Sequence, residues 1–209
     1  MAIDTASIGK QIAWNVEFVG SHDDRFSLPS IDPVDRPGNF AEVEQVAAAA
    51  RRMIGLNTTD PLFNLSETFS RFGLLSFSLD MGANSADAAS ILLPSGGVAV
   101  VNGGLRVGRR RLALAHEFGH YLFADEYTVD WRIDDKEDGY AWESRIDRFA
   151  RALLLPVEGL DSFWKSLRLS GDSLRTTAVK TASRFRVDMA TLARRVRELK
   201  LAGKPSQPK

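Results

Sequence analysis

Between Leu112 and Ala124 the only ionisable side chains besides Tyr121 are His116, Glu117 and His120, arranged as HEFGH. On a helix turning about 100° per residue, positions i and i+4 point the same way, so both imidazoles can share one tetrahedral cation. Glu117 is set about 100° to the side, too far round to ligate with them but able to reach water at that cation as a general base. The surrounding helix is apolar nearly all round, with Leu112, Ala113 and Phe123 flanking the histidines and Leu114, Phe118 and Leu122 opposite. Burying three ionisable groups without partners costs several kcal/mol, which a divalent cation would offset. The competing reading is a pair of core histidines bonded to backbone carbonyls. The five-residue pattern also recurs by chance, so a third ligand is required.

The segment YAWESRIDRFARALLLP (140–156) supplies one. Glu143 and Asp147 lie four residues apart on a helical face widened by Trp142, Ile146, Phe149 and Leu153, with Arg145, Arg148 and Arg151 assigned to the opposite side. Glu143 would complete a His/His/Glu set with the fourth position open, the pattern of a catalytic zinc site. Asp147, one turn on, would accept the outer N–H of a ligating histidine. The alternative is an acidic pair bridged to the neighbouring arginines. The open position implies metal-assisted amide hydrolysis without a covalent intermediate, one ion per chain. The donor types suit Zn2+ and also accommodate Mn2+ or Fe2+. Tyr121, Tyr127 and Tyr140 are the nearby phenols that could stabilise an oxyanion, and the sequence singles out none of them.

These residues need elements to hold them. The 209 residues suffice for one domain with a substantial core, or for one domain plus a small appendage. Residues 1–38, with prolines at 29, 33 and 37, read as an irregular arm with one short helix near 8–16. A helix is expected from 40 to 53, capped by Asn39 and stopped at Gly55, and another over 65–72. Three short apolar runs, LLSFSL (74–79), ASILLP (89–94) and GVAVVN (97–102), predict a small, mostly antiparallel sheet. Helices follow at about 108–124, 140–155, 158–168, 173–184 and 188–200, making the fold class α+β. We divide the chain into an arm (1–38), a core domain (39–170), a helical C-terminal subdomain (171–203) and a tail (204–209). If 97–102 lies at a sheet edge, Val98, Val100 and Asn102 would face an extended peptide substrate pairing with it.

Lysine plus arginine equals aspartate plus glutamate at 27 each, so net charge points to neither nucleic acid nor membrane. Charge is uneven, however: residues 165–209 hold twelve bases and three acids, and residues 125–147 hold nine acids and three bases. No cysteine is present, which excludes thiol catalysis and cysteine-ligated metals and fits a cytoplasmic protein. No secretory signal is evident, and no apolar run is long enough to span a bilayer.

With these residues assigned, the chain resembles the ImmA/IrrE family of bacterial and phage metallo-endopeptidases. The likeness rests on GVAVVN (97–102), GRRRLALAHEFGHYLF (108–123) and ESRIDRFARALLLP (143–156), and spans residues 40–201. It implies a zincin-like core with the sheet packed on the HExxH helix, His116, His120 and Glu143 as ligands, and Glu117 as the catalytic base. It also implies limited proteolysis of a helix-turn-helix transcriptional repressor in mobile-element, stress or toxin–antitoxin regulation. Family members often carry a second acid and an alanine where this chain has Arg145 and Ile146.

Two rival functions come from the same sequence. Residues 176–201 have helix-turn-helix spacing, with Ala178, Ala182, Phe185, Leu192 and Val196 inside and Arg194, Arg195 and Arg197 supplying positive charge for DNA. A third reading keeps the metal site but makes the chain a non-proteolytic scaffold that holds a repressor.

Overall fold

The structure is a computed structural model that describes residues 5–83, 85–124 and 136–201. Eight helices and three strands occur among them: α1 Thr5–His22, α2 Phe40–Met53, α3 Leu65–Ser70, β1 Leu74–Leu79, β2 Ala88–Leu92, β3 Gly97–Asn102, α4 Val107–Leu122, α5 Lys136–Leu154, α6 Val157–Leu169, α7 Leu174–Phe185 and α8 Met189–Glu198. Local chemistry explains several boundaries. Asn39 caps α2 by accepting the amides of Ala41 and Glu42. Ser173 and Asp188 do the same for α7 and α8, through the amides of Thr176 and Thr191.

The sheet is mixed rather than mostly antiparallel, with strand order β1-β3-β2. β2 and β3 form the expected antiparallel hairpin, whereas β1 runs parallel to β3 in the register Leu74↔Gly97 to Leu79↔Asn102. The chain leaves β1, crosses to the far edge as β2, and returns between the two as β3. Every residue of β3 is buried. Its side chains alternate as a doubly covered strand requires. Val98 and Val100 join Met81, with Ile8, Ile12 and Val16 of α1 packed on them. Ala99 and Val101 face the main core with Phe118, Phe149 and Leu153. The sheet therefore lies between α1 and α4.

Two expectations are corrected here. The first is the arm, whose one short helix is the 18-residue α1, packed on the sheet. Its continuation stays attached: the Val34 amide donates to the Leu122 carbonyl at 2.8 Å, and Arg36 lies 5.0 Å over the Trp142 ring. The second is the substrate strand. β3 is hydrogen-bonded on both sides, so Val98, Val100 and Asn102 offer no free edge. Asn102, 1% exposed, instead holds the β1–β2 connection, donating to the Gly82 carbonyl at 2.8 Å and accepting the Met81 amide at 3.3 Å.

α4 and α5 cross in contact at Gly119. A Cβ there would lie 3.0 Å from Phe149 Cδ1 and 3.3 Å from Ile146 Cγ2, so glycine lets the two helices approach closely. This contact also accounts for Ile146, larger than the alanine expected from the resemblance: its 0%-exposed side chain packs over the Cβ-free position. The C-terminal helices share this core, since Phe185, Leu192 and Val196 belong to the same buried cluster as Phe118 and Phe149.

Candidate metal centre

α4 positions three of the polar groups. His116 is partly buried, while Glu117 is 7% and His120 3% exposed, all within a helix whose other inward residues are apolar. α5 crosses α4 so that Glu143 meets the two rings. The ligand atoms of His116, His120 and Glu143 all lie within 4.8 Å of one another. The two Nε2 atoms are 3.0 Å apart, and the Glu143 oxygens lie 3.2 Å from His116 Nε2 and 3.6 Å from His120 Nε2. Two imidazole nitrogens and one carboxylate converging from two helices form a donor set that fits a divalent cation with an open position.

Asp147 Oδ1 lies 3.2 Å from His116 Nδ1, on the far side of the ring from Glu143. Asp147 also faces Arg151 Nη1 at 3.4 Å. The two alternatives for Asp147 thus coexist: it meets the histidine and an arginine at once. Arg151 is not on an opposite, solvated side of α5 but 3% exposed, with its Nε donating to Glu198 at 2.8 Å.

The electrostatics mark this as a cation-seeking place. Burial disfavours the His116 imidazolium, yet hydrogen bonds to Asp147 and Glu143 and the nearby Glu117 charge outweigh it and raise the ring to about 10. Burial likewise pushes the Glu143 carboxyl upward, but the two histidines prevail and hold it at about 2. Burial raises Asp147 less than His116 and Arg151 lower it, so it stays below the usual aspartate range. Negative charge outweighs positive around the imidazoles, and a cation relieves the imbalance.

The sequence reading missed Ser90. It sits at the centre of β2, 8% exposed, and its hydroxyl donates to Glu117 Oε2 at 2.5 Å. The signal was there: period-two alternation puts Ser90 on the same face as Ala88 and Leu92, which pack toward the main core, so a lone polar residue points inward. β2 rather than β3 is the strand beside Glu117, and among the described residues its outer edge pairs with no other strand.

The phenols sort themselves. The Tyr121 hydroxyl donates to the Phe72 carbonyl at 2.7 Å, Tyr140 is 80% exposed, and Tyr127 lies outside the described residues. Of the three arginines that suggested DNA contact, Arg195 is fully buried and bound through both terminal nitrogens to Glu44, at 2.6 and 2.7 Å. Arg194 and Arg197 are exposed. No helix among the described residues is long and apolar enough to cross a membrane.

Comparison with known proteins places this arrangement. In fold the chain is similar to a Mycobacterium tuberculosis transcriptional regulator, with a TM-score of 0.54 and 17% sequence identity. The match covers 94% of this chain and 53% of that one, so the chain spans about half that regulator's length. No curated protein matches. The family model described as Peptidase_M78, IrrE N-terminal-like domain, matches residues 69–197, a segment that contains β1 to β3, both helices of the candidate centre and nearly all of the C-terminal pair. Because that segment is well over half of the 209 residues and includes His116, Glu117, His120 and Glu143, the chain belongs to the IrrE N-terminal-like peptidase family.

Proposed function

We propose that the chain is a zinc-dependent endopeptidase acting on a protein, and that its substrate is a helix-turn-helix transcriptional repressor. The observation carrying this reading is the convergence of His116, His120 and Glu143, with ligand atoms within 4.8 Å, beside a buried Glu117. Bound there, zinc supplies Lewis acidity and brings the pKa of water toward neutrality. The chain's own side chains account for the remainder. Glu117, aimed by the Ser90 hydroxyl, takes the proton of the attacking water and returns it to the leaving amine. Asp147 engages Nδ1 of His116, which leaves Nε2 turned toward Glu143 and His120. An extended substrate would pair with the outer edge of β2, the strand next to Glu117. The repressor as substrate is what the family resemblance implies.

The direct experiment mixes the purified, zinc-loaded chain with candidate helix-turn-helix repressors from the same genome, starting with any encoded nearby, and reads intact masses. The expected result is scission at one bond, stopped by 1,10-phenanthroline and restored by added zinc. A fully zinc-loaded chain that binds the repressor and leaves it whole would establish the scaffold reading instead.

Ser90 provides a second check. Ser90→Ala removes the hydrogen bond that orients Glu117 and leaves the three ligand atoms in place. Cleavage is expected to slow on the order of tenfold, the low end for substitutions that disorient a site group, at unchanged zinc stoichiometry. An unaltered turnover rate would remove Ser90 from the mechanism.

A further inference from the structure

The candidate centre does not end at Asp147. Asp147 Oδ2 faces Arg151 Nη1 at 3.4 Å, and Arg151 Nε donates to Glu198 Oε1 at 2.8 Å. Glu198 Oε2 lies 3.5 Å from Arg195 Nη1, and Arg195 grips Glu44 of α2, which also accepts from Arg148 Nε at 2.9 Å. The string alternates in sign: Asp147, Arg151, Glu198, Arg195, Glu44, Arg148. Its middle is dry, with side-chain exposures of 4% for Arg151, 14% for Glu198 and 0% for Arg195. In such surroundings a guanidinium must have counter-charge, and removing one partner redirects it onto those that remain.

Arg151 divides itself between two carboxylates, closer to Glu198 than to Asp147. Without the Glu198 charge, the whole attraction of a buried guanidinium would fall on Asp147. Asp147 would then turn from His116 Nδ1 or give it less electron density, and a histidine ligand whose far nitrogen is poorly held binds metal less well.

We propose that Glu198, in the last turn of α8, is a positioning residue for the metal centre, acting through Arg151 and Asp147 on His116. The inference rests on the reading of His116 as a zinc ligand and extends it: the C-terminal helix is a working part of the metal site. A bridge carrying one carboxylate of α8 to an imidazole of α4 makes zinc affinity sensitive to how α8 is seated.

The test measures zinc affinity by competition with a chromophoric chelator, for the full chain and five variants. Glu198→Gln is expected to weaken zinc binding about tenfold. Glu158→Gln, an equal charge change on the exposed first turn of α6, is expected to leave it unaltered. Asp147→Asn is expected to weaken binding by about 10- to 100-fold. The double variant Glu198→Gln/Asp147→Asn should be no worse than Asp147→Asn alone, since Glu198 has nothing left to act through. Glu198→Asp keeps the charge one methylene shorter, should lose less than the glutamine variant, and replaces it in the cycle if the latter does not fold. A merely structural role for Glu198 predicts losses that multiply in the double variant; that result, or unchanged affinity in Glu198→Gln, overturns the proposal. A wild-type chain that takes up no zinc overturns the metal-centre reading as well, so the two failures are told apart by the wild-type measurement.

Discussion

Glu117→Gln is expected to abolish measurable cleavage while zinc stoichiometry stays near one. The substitution preserves shape, and the amide oxygen can still accept the Ser90 hydroxyl, which lies 2.5 Å from Glu117 Oε2. The ring nitrogens and the Glu143 oxygens lose no partner, because no ligating atom belongs to Glu117. What disappears is the capacity to take a proton, and general acid–base catalysis is worth roughly 10²–10⁴-fold. Glu117 is 7% exposed, so an amide in its place is also easier to bury than a carboxylate, and folding should not suffer. Intact-mass cleavage assays beside metal analysis decide the matter. A variant that still cuts at near wild-type rate would mean that another group moves the proton.

The second large effect belongs to Glu143. Glu143→Ala removes one of the three converging donors and should weaken zinc binding more than 100-fold, beyond the roughly 10- to 100-fold typical of substitutions behind a ligand. Cleavage at limiting zinc should vanish with it. Glu143 is a cleaner probe than His120, since its side chain is 41% exposed against 4% for the buried ring, so truncation leaves little cavity. Calorimetry gives an independent reading. A ligand at about a thousandfold above its Kd stabilises the folded state by about 4 kcal/mol. For a domain of this size that corresponds to a rise in Tm on the order of 10 °C. The wild-type chain should show this rise with zinc, and Glu143→Ala at the same zinc concentration should show about a third of it or less. Equal shifts in both proteins would take Glu143 out of the ligand set.

Much of the secondary structure was legible because its causes are local. α2 begins after Asn39, whose side chain accepts the first amides, and α8 begins after Asp188 for the same reason. β1 and β3 fall on 74–79 and 97–102 as expected, since short apolar runs between turn residues have little choice. The C-terminal helix pair was also legible as helices. Its role was not: Arg195 looks like a surface cation when only its own helix is considered, yet it is buried against Glu44, 151 residues away in the chain. Arg151 deceived in the same manner, because its partners on α5 are visible from spacing and its partner Glu198 is 47 residues off.

The sequence alone determined that two imidazoles would share a direction, that Glu117 would stand beside them, and that all three would sit on a largely apolar helix four turns long. Those facts depend on the 3.6-residue period, a property of any α-helix. The tertiary structure alone decided which strand flanks Glu117, placing Ser90 there and β3 in the middle. It also decided how α5 crosses α4 at Gly119 to deliver Glu143, and that α8 reaches the centre through Arg151. Strand order and helix crossing are set by which distant surfaces pack together, and pairing across tens of residues leaves no period in the chain for a reader to find.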